Sequence, residues 1–159
     1  MMIFVSAFAF VLLVNAVVGE EVRITSVDKF IEFKDNVSKG TSYSGMTVFL
    51  DSDLPLAGKA FEPIGNSNSN YFSGVFDGQG HVISGLTMTS SLQYVGLFGC
   101  SRGLTIKNVI LDSSCSIASS YSGHYNVYVG GIIGHAYFAS SENCVSAEKS
   151  LNAHHLIRR

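Results

Sequence analysis

The sequence predicts an all-β chain wound into a stacked solenoid of about four coils, its first coil covered by one α-helix. Three observations carry this. Short apolar stretches alternate with glycine corners, the pattern returns further along the chain, and a single segment near the N-terminus has helical periodicity. Residues 71–99 show the pattern best: Val75-Phe76, the corner Asp77-Gly78-Gln79-Gly80, Val82-Ile83, then Gly85-Leu86-Thr87-Met88 and Val95-Gly96-Leu97-Phe98-Gly99. Each stretch is too short for a helix and is bounded by turn residues, so each reads as a strand.

Composition sets the class. With 47% hydrophobic and only 14% charged residues the chain is not disordered. A net charge of -2 gives no reason to expect nucleic acid or an anionic membrane surface as partner. The 159 residues suit one domain, and 16 glycines against 2 prolines supply corners without breaking ladders.

Residues 1–19 are almost wholly apolar up to Val18, with Gly19 before Glu20-Glu21. This reads as a cleaved signal peptide, with an uncleaved membrane anchor as the alternative. Both place the remainder in the secretory lumen or outside the cell. Cys100, Cys115 and Cys144 would then meet oxidising conditions, and an odd number leaves at least one unpaired, as a small buried hydrophobe. Asn36-Val37-Ser38 is a candidate glycosylation acceptor, making the product a glycoprotein.

Residues 20–45 form the capping helix and its lead-in. Val27, Phe30, Ile31 and Val37 share a helical face, Thr25 or Ser26 can cap the start, and Gly40 stands where a C-terminal glycine belongs. Solenoid repeats follow over residues 46–147. Met46-Thr47-Val48-Phe49-Leu50 is a strand, and Asp51-Ser52-Asp53 breaks it. Two carboxylates alone lack the further oxygens that calcium requires, so a turn is the better reading. Residues 66–70, NSNSN, are a polar loop.

The repeat can be aligned twice. His81 to Met88 written above Leu104 to Leu111 gives an offset of 23, and Gly74-Val75-Phe76 above Gly96-Leu97-Phe98 gives 22. Gly96 to Gly99 above Gly131 to Gly134 gives 35, and Asn108 falls on Asn143 at the same spacing. The extra residues are assigned to a loop at 113–126, rich in Ser, Tyr and Gly. Coils stacked about 4.8 Å apart would place matching apolar residues in one interior. Asn108 and Asn143 would meet at a corner as stacked amides, or be two ordinary turn residues.

Residues 61–99, with Pro63-Ile64-Gly65, the FSGVFDGQGHVISGL run from Phe72 to Leu86, and Val95 to Gly99, followed by Ile106-Lys107-Asn108-Val109, resemble the GLUG-motif proteins and related secreted β-helix repeats. The resemblance spans roughly residues 26–143. It implies a right-handed parallel β-helix, an adhesin-like protein secreted or held at the cell surface, and no catalytic residue. Residues 145–159 leave the pattern. The last dozen, 148–159, are expected to be an irregular tail, with a short capping helix or the frayed end of a truncated product both open. His154-His155 lacks a third metal ligand.

The function expected is therefore non-catalytic adhesion or recognition of a host protein or glycan. Tyr121, Tyr125 and Tyr128, tyrosines among Ser and Gly, are the candidate ligand contacts. No metal or cofactor is expected. A fragment of a β-helix carbohydrate-active enzyme is the alternative. Glycoside hydrolysis needs two carboxylates on one face of neighbouring coils, and these offsets place Asp77 on Cys100 and Asp112 on Thr89. A truncated paralogue without independent function is a third reading. An exposed last coil would invite self-association.

Overall fold

In the computed structural model the described residues are 19–147 and 149–151. The expected signal peptide therefore lies almost wholly outside the described residues, as does His154-His155. Strand β1 (Glu21–Ile24) precedes the helix α1 (Val27–Ser38). Then come β2 (Thr47–Leu50), β3 (Leu54–Pro55), β4 (Val75–Asp77), β5 (Val82–Ser84), β6 (Thr87–Ser90), β7 (Tyr94–Val95) and β8 (Phe98–Arg102). After these lie β9 (Thr105–Lys107), β10 (Ile110–Leu111), β11 (Ser116–Ser119), β12 (Tyr128–Val129) and β13 (Ile133–Tyr137). The last are β14 (Ser140–Glu142), β15 (Val145–Ser146) and β16 (Lys149–Leu151).

The chain is strand-rich, with one short helix, and every strand pairing described is parallel. One sheet runs β1-β2-β4-β9-β14 and a second β15-β10-β5-β3, so successive passes of the chain lie over one another. Alternation decides what faces inward. In β2, β4 and β9 the middle residues Val48, Phe76 and Ile106 are stacked by register and fully buried. Leu54, Ile83 and Leu111 form a second such column, and Met88 with Ile117 a third.

Ser26 caps α1, its side chain accepting from Lys29 N at 3.3 Å, and Asp28 sits in the first turn. Gly40, at φ +104°, takes the chain out of the helix. The buried face is Phe30, Phe33 and Val37; Ile31, expected on it, is half-buried, and Phe33 replaces it. Phe33 meets Phe72 at 5.5 Å and Phe76 at 5.9 Å between ring centroids, while Phe30 stacks on Phe61 at 5.5 Å. Full burial of such a side chain stabilises by about 1.5–3 kcal/mol. The helix is thus held by rings of the passes it covers.

The pairings replace the offset of 22–23. Thr47 lies opposite Val75, 28 residues on, and Val75 opposite Thr105, 30 residues on. Ile83 therefore stacks on Leu111, not Ile106. The shorter offset arises because consecutive strands of one pass share the same in-out alternation, so a strand can be aligned with its neighbour round the corner as readily as with the strand above. The offset of 35 is real between Phe98 and Ile133 and between Thr105 and Ser140. Ile64 bridges Phe98 at 34, so Gly65, Gly99 and Gly134 share one register position. A Cβ at Gly99 would lie 2.6 Å from Gly65 O and 2.7 Å from Tyr94 O, which explains why only glycine occurs there.

The loop assigned to residues 113–126 is also shorter than expected. Residues 116–119 are β11, paired on β6 at an offset of 29, with Cys115 and Ile117 buried. The offset rises to 34 at Tyr94–Tyr128, so five extra residues lie within 120–127. Strand structure continues beyond the expected boundary, since β16 pairs with β11. Val145–Ser146 and Lys149–Leu151 carry no apolar alternation, so backbone hydrogen bonds rather than an apolar pattern mark them as strands.

Candidate functional site

The corners carry the polar contacts. Asn108 donates to Asp77 Oδ1 at 2.8 Å, and Asn143 donates to Asn108 Oδ1 at 3.3 Å, so the two asparagines do stack as an amide ladder. Both hold left-handed φ, +52° and +50°, which asparagine tolerates. Asp51 accepts from Arg23 at 3.0 Å and from Gln79 at 2.7 Å, whereas Asp53 accepts from Val82 N at 2.9 Å and meets His81 Nδ1 at 3.0 Å. The two carboxylates thus serve different partners, as a turn requires. The register sets Asp77 beside Lys107, and Lys107 beside Glu142. Asp112 follows Leu111, which is opposite Ile83, so it falls by Ser84 rather than Thr89.

The three thiols are not joined to one another. Cys115 Sγ lies 3.4 Å from Ile83 O and Cys144 Sγ 3.7 Å from Ile106 O, in separate columns. Burial pushes the Cys100 and Cys115 thiols up. Both act as small interior side chains. Asn36 sits on α1, half-buried, its amide donating to Tyr43 Oη at 3.4 Å.

A different group of side chains forms the most distinctive surface. Arg102 N donates to Phe72 O on one side, and Gly103 N donates to Tyr137 O on the other. These bonds bring Tyr71 and Tyr137 to either side of Arg102. Its guanidinium carbon is 5.1 Å from the Tyr71 ring centroid and 5.5 Å from that of Tyr137. Two residues back along β13 is His135. Its ring lies 4.7 Å from Tyr94, 4.9 Å from Tyr128 and 4.8 Å from Tyr137. Tyr94 and Tyr128 are register partners with centroids 5.7 Å apart. His135 Nδ1 is buried without a hydrogen-bond partner. Tyr128 and Tyr137 remain 39% and 42% exposed, enough to present ring surface to a ligand.

Of the three tyrosines expected to touch a ligand, only Tyr128 joins this cluster. Tyr121 is half-buried, with its N–H on Ser119 Oγ at 3.1 Å, and Tyr125 is exposed in the loop. The loop is anchored by Gln93, which donates to Asn126 O at 2.8 Å. Residues 66–70 are also tied down, because Asn70 donates to Ser38 O at 2.9 Å. Tyr71, Tyr94, Arg102, His135 and Tyr137 were missed by sequence reasoning. The 35-residue offset contained part of the signal: extended from Phe98, it sets Cys100 on His135 and Arg102 on Tyr137.

The cluster is also free of acids. Among β7, β8, β12 and β13 the only Asp, Glu, Lys or Arg is Arg102, and it forms no ion pair among the described residues. By contrast, the groove of about 160 Å³ between α1 and β1 is rimmed by charges already paired, Lys29 with Glu32 at 2.8 Å and Arg23 with Asp51 at 3.0 Å. No described helix is long and apolar enough to cross a membrane, and no group of three or more metal-ligating side chains occurs among the described residues. The chain matches no family model, no curated protein and no solved structure.

Proposed function

We propose that this protein is a non-catalytic right-handed β-solenoid of about four coils, related to the GLUG-motif proteins, secreted or held at the cell surface, and that it recognises a host protein or glycan. One observation carries the reading: an aromatic cluster, Tyr94, Tyr128, His135 and Tyr137, with Tyr128 and Tyr137 exposed over the half-buried other two, is mounted on paired strands rather than on loops. Rings held by a backbone ladder lose little freedom on binding, which favours recognition. The apolar leader at residues 1–19 supports an extracellular address. The test is adhesion of purified chain to cells and to immobilised glycans. The double variant Tyr128→Ala and Tyr137→Ala is expected to lose at least tenfold in binding with an unchanged circular dichroism spectrum. Unchanged binding would reject the surface, and release of reducing sugar from a polysaccharide would replace recognition by hydrolysis.

A second reading has its own support. Strands β12, β13, β14 and β16 each pair on one side only among the described residues, and Phe138 is exposed between β13 and β14. Self-association through that edge follows from unpaired strand hydrogen-bonding groups. Light scattering across a concentration series checks it, and a monomer at all concentrations would exclude it.

A further inference from the structure

We infer that the Tyr71–Arg102–Tyr137 ladder is an anion subsite, and that the recognition surface beside it takes an acidic saccharide. This rests on the recognition reading above and names its ligand class. The charge pattern points to it. The chain has net charge -2, with 12 Asp and Glu, yet none of them lies on β7, β8, β12 or β13. Arg102 is exposed and flanked by two rings, at 5.1 and 5.5 Å, instead of by a carboxylate. A guanidinium held by aromatic faces keeps its N–H donors for a planar anion. Of the other cations, Arg23 is engaged with Asp51 and Glu21, Lys29 with Glu32 and Lys34 with Asp35, while Lys39, Lys59 and Lys107 lie outside this aromatic surface.

The rings extend the subsite. Tyr137 touches Arg102 on one side and His135 on the other, and His135 leads to Tyr94 and Tyr128. Anion recognition and apolar ring surface are therefore contiguous. Parallel strands about 4.8 Å apart repeat rings at a spacing comparable with one pyranose unit. A uronic or sulfated saccharide offers both halves of the match, an anion and the C–H face of the sugar, on adjacent atoms. A carboxylate and a sulfate share this chemistry, and the probes separate them.

The experiment uses the whole chain and isothermal calorimetry with four probes: an oligogalacturonate, a heparin-derived oligosaccharide, the neutral maltohexaose and a poly-glutamate peptide. One or both anionic saccharides are expected to bind, at least tenfold more tightly than maltohexaose and than the peptide, and more weakly as salt rises. Arg102→Gln is expected to lose about tenfold or more, and Arg102→Lys less, because lysine keeps the charge without the fork. Should Arg102→Gln fail to fold, the double variant Tyr71→Leu and Tyr137→Leu, which removes the flanking rings, is expected to show the same loss. Equal affinity for maltohexaose, tighter binding of the peptide, or full affinity in folded Arg102→Gln would each overturn the inference. If no saccharide binds while cells are still bound through Tyr128 and Tyr137, the inference falls and the recognition reading stands. If neither saccharide nor cell is bound, both fall.

Discussion

The two ends of the stacked columns are built from the same register and filled differently. At the end under α1, the inward positions are Phe30, Phe33, Phe61, Phe72 and Phe76, all buried, with rings 5.0–6.5 Å from aromatic neighbours. At the other end the columns change character. Val48, Phe76 and Ile106 are followed in register by Ser141, and Ile83 and Leu111 by Ser146. Ser150 occupies the position above Ile117. The comparison separates two sources of order. One end is held by apolar burial plus the ladder, the other by the ladder with little apolar burial.

The largest effect should come from the aromatic end. Phe76→Ala leaves a cavity beneath the helix, and a loss of about 3–5 kcal/mol is expected in chemical denaturation. Ser141→Val, one column position away from Ile106, should change stability by no more than about 0.5 kcal/mol. Comparable losses at the two sites would break the contrast. A second pair of variants tests what the ends share. Gly99→Ala and Gly134→Ala each drive a Cβ to within 2.7 Å of backbone oxygen, Gly65 O in one case and Val95 O in the other. Both are expected to cost about 1–3 kcal/mol, because both passes depend on the same close approach. A tolerated Gly134→Ala would mean that the upper pass is not locked to the one below.

Acid should act at the corners. Hydrogen bonds from Val82 N and from His81 hold the Asp53 carboxyl below the usual carboxylate range. Bonds from the Ser114 hydroxyl and N–H do the same for Asp112. A lowered folded-state value means stability that is fully present above the ordinary carboxylate pKa and is lost as pH falls through the folded value. Melting temperature should therefore be insensitive to these groups near neutrality and should decline below about pH 4. Asp53→Asn is expected to flatten that decline, and an unchanged acid limb would remove Asp53 from the account. A small gain rather than a loss concerns Phe138, which holds φ +58° while 92% exposed and follows Tyr137 as Gly103 follows Arg102. Phe138→Gly relieves the left-handed backbone without loss of packing and should raise stability by about 0.5–1 kcal/mol.

Much of this was legible because alternation is local. Val75-Phe76 and Val82-Ile83 declare themselves as strands, and the Ser26 cap and Gly40 exit bound the helix from sequence alone. Which strand lies on which is not local. His81 to Met88 fits Leu104 to Leu111 by pattern, although Ile83 pairs with Leu111, because every face of a pass offers the same apolar rhythm. Asn108 and Asn143 were found because an amide ladder needs the same residue at equal spacing. The aromatic surface was not, because Tyr71, Arg102 and Tyr137 differ in type and become neighbours only once the register is known. Ser141 and Ser146 were equally silent, since a serine carries no sign of the column it ends.

The offsets between passes have a consequence for how this chain tolerates change. Ile64 bridges Phe98 across 34 residues, yet eight residues later Phe72 bridges Ser101 across only 29. The surplus is taken up in residues 66–70, and the ladder resumes in phase. The same happens between β11 and β12, where the spacing passes from 29 to 34. The fold resynchronises after each insertion instead of carrying the error forward, much as a text keeps its line breaks when a word is added within a line. Length variation at these two places is thereby uncoupled from the geometry of Arg102 and its flanking rings. Segments grafted there could diversify the surroundings of that surface while leaving its frame in register.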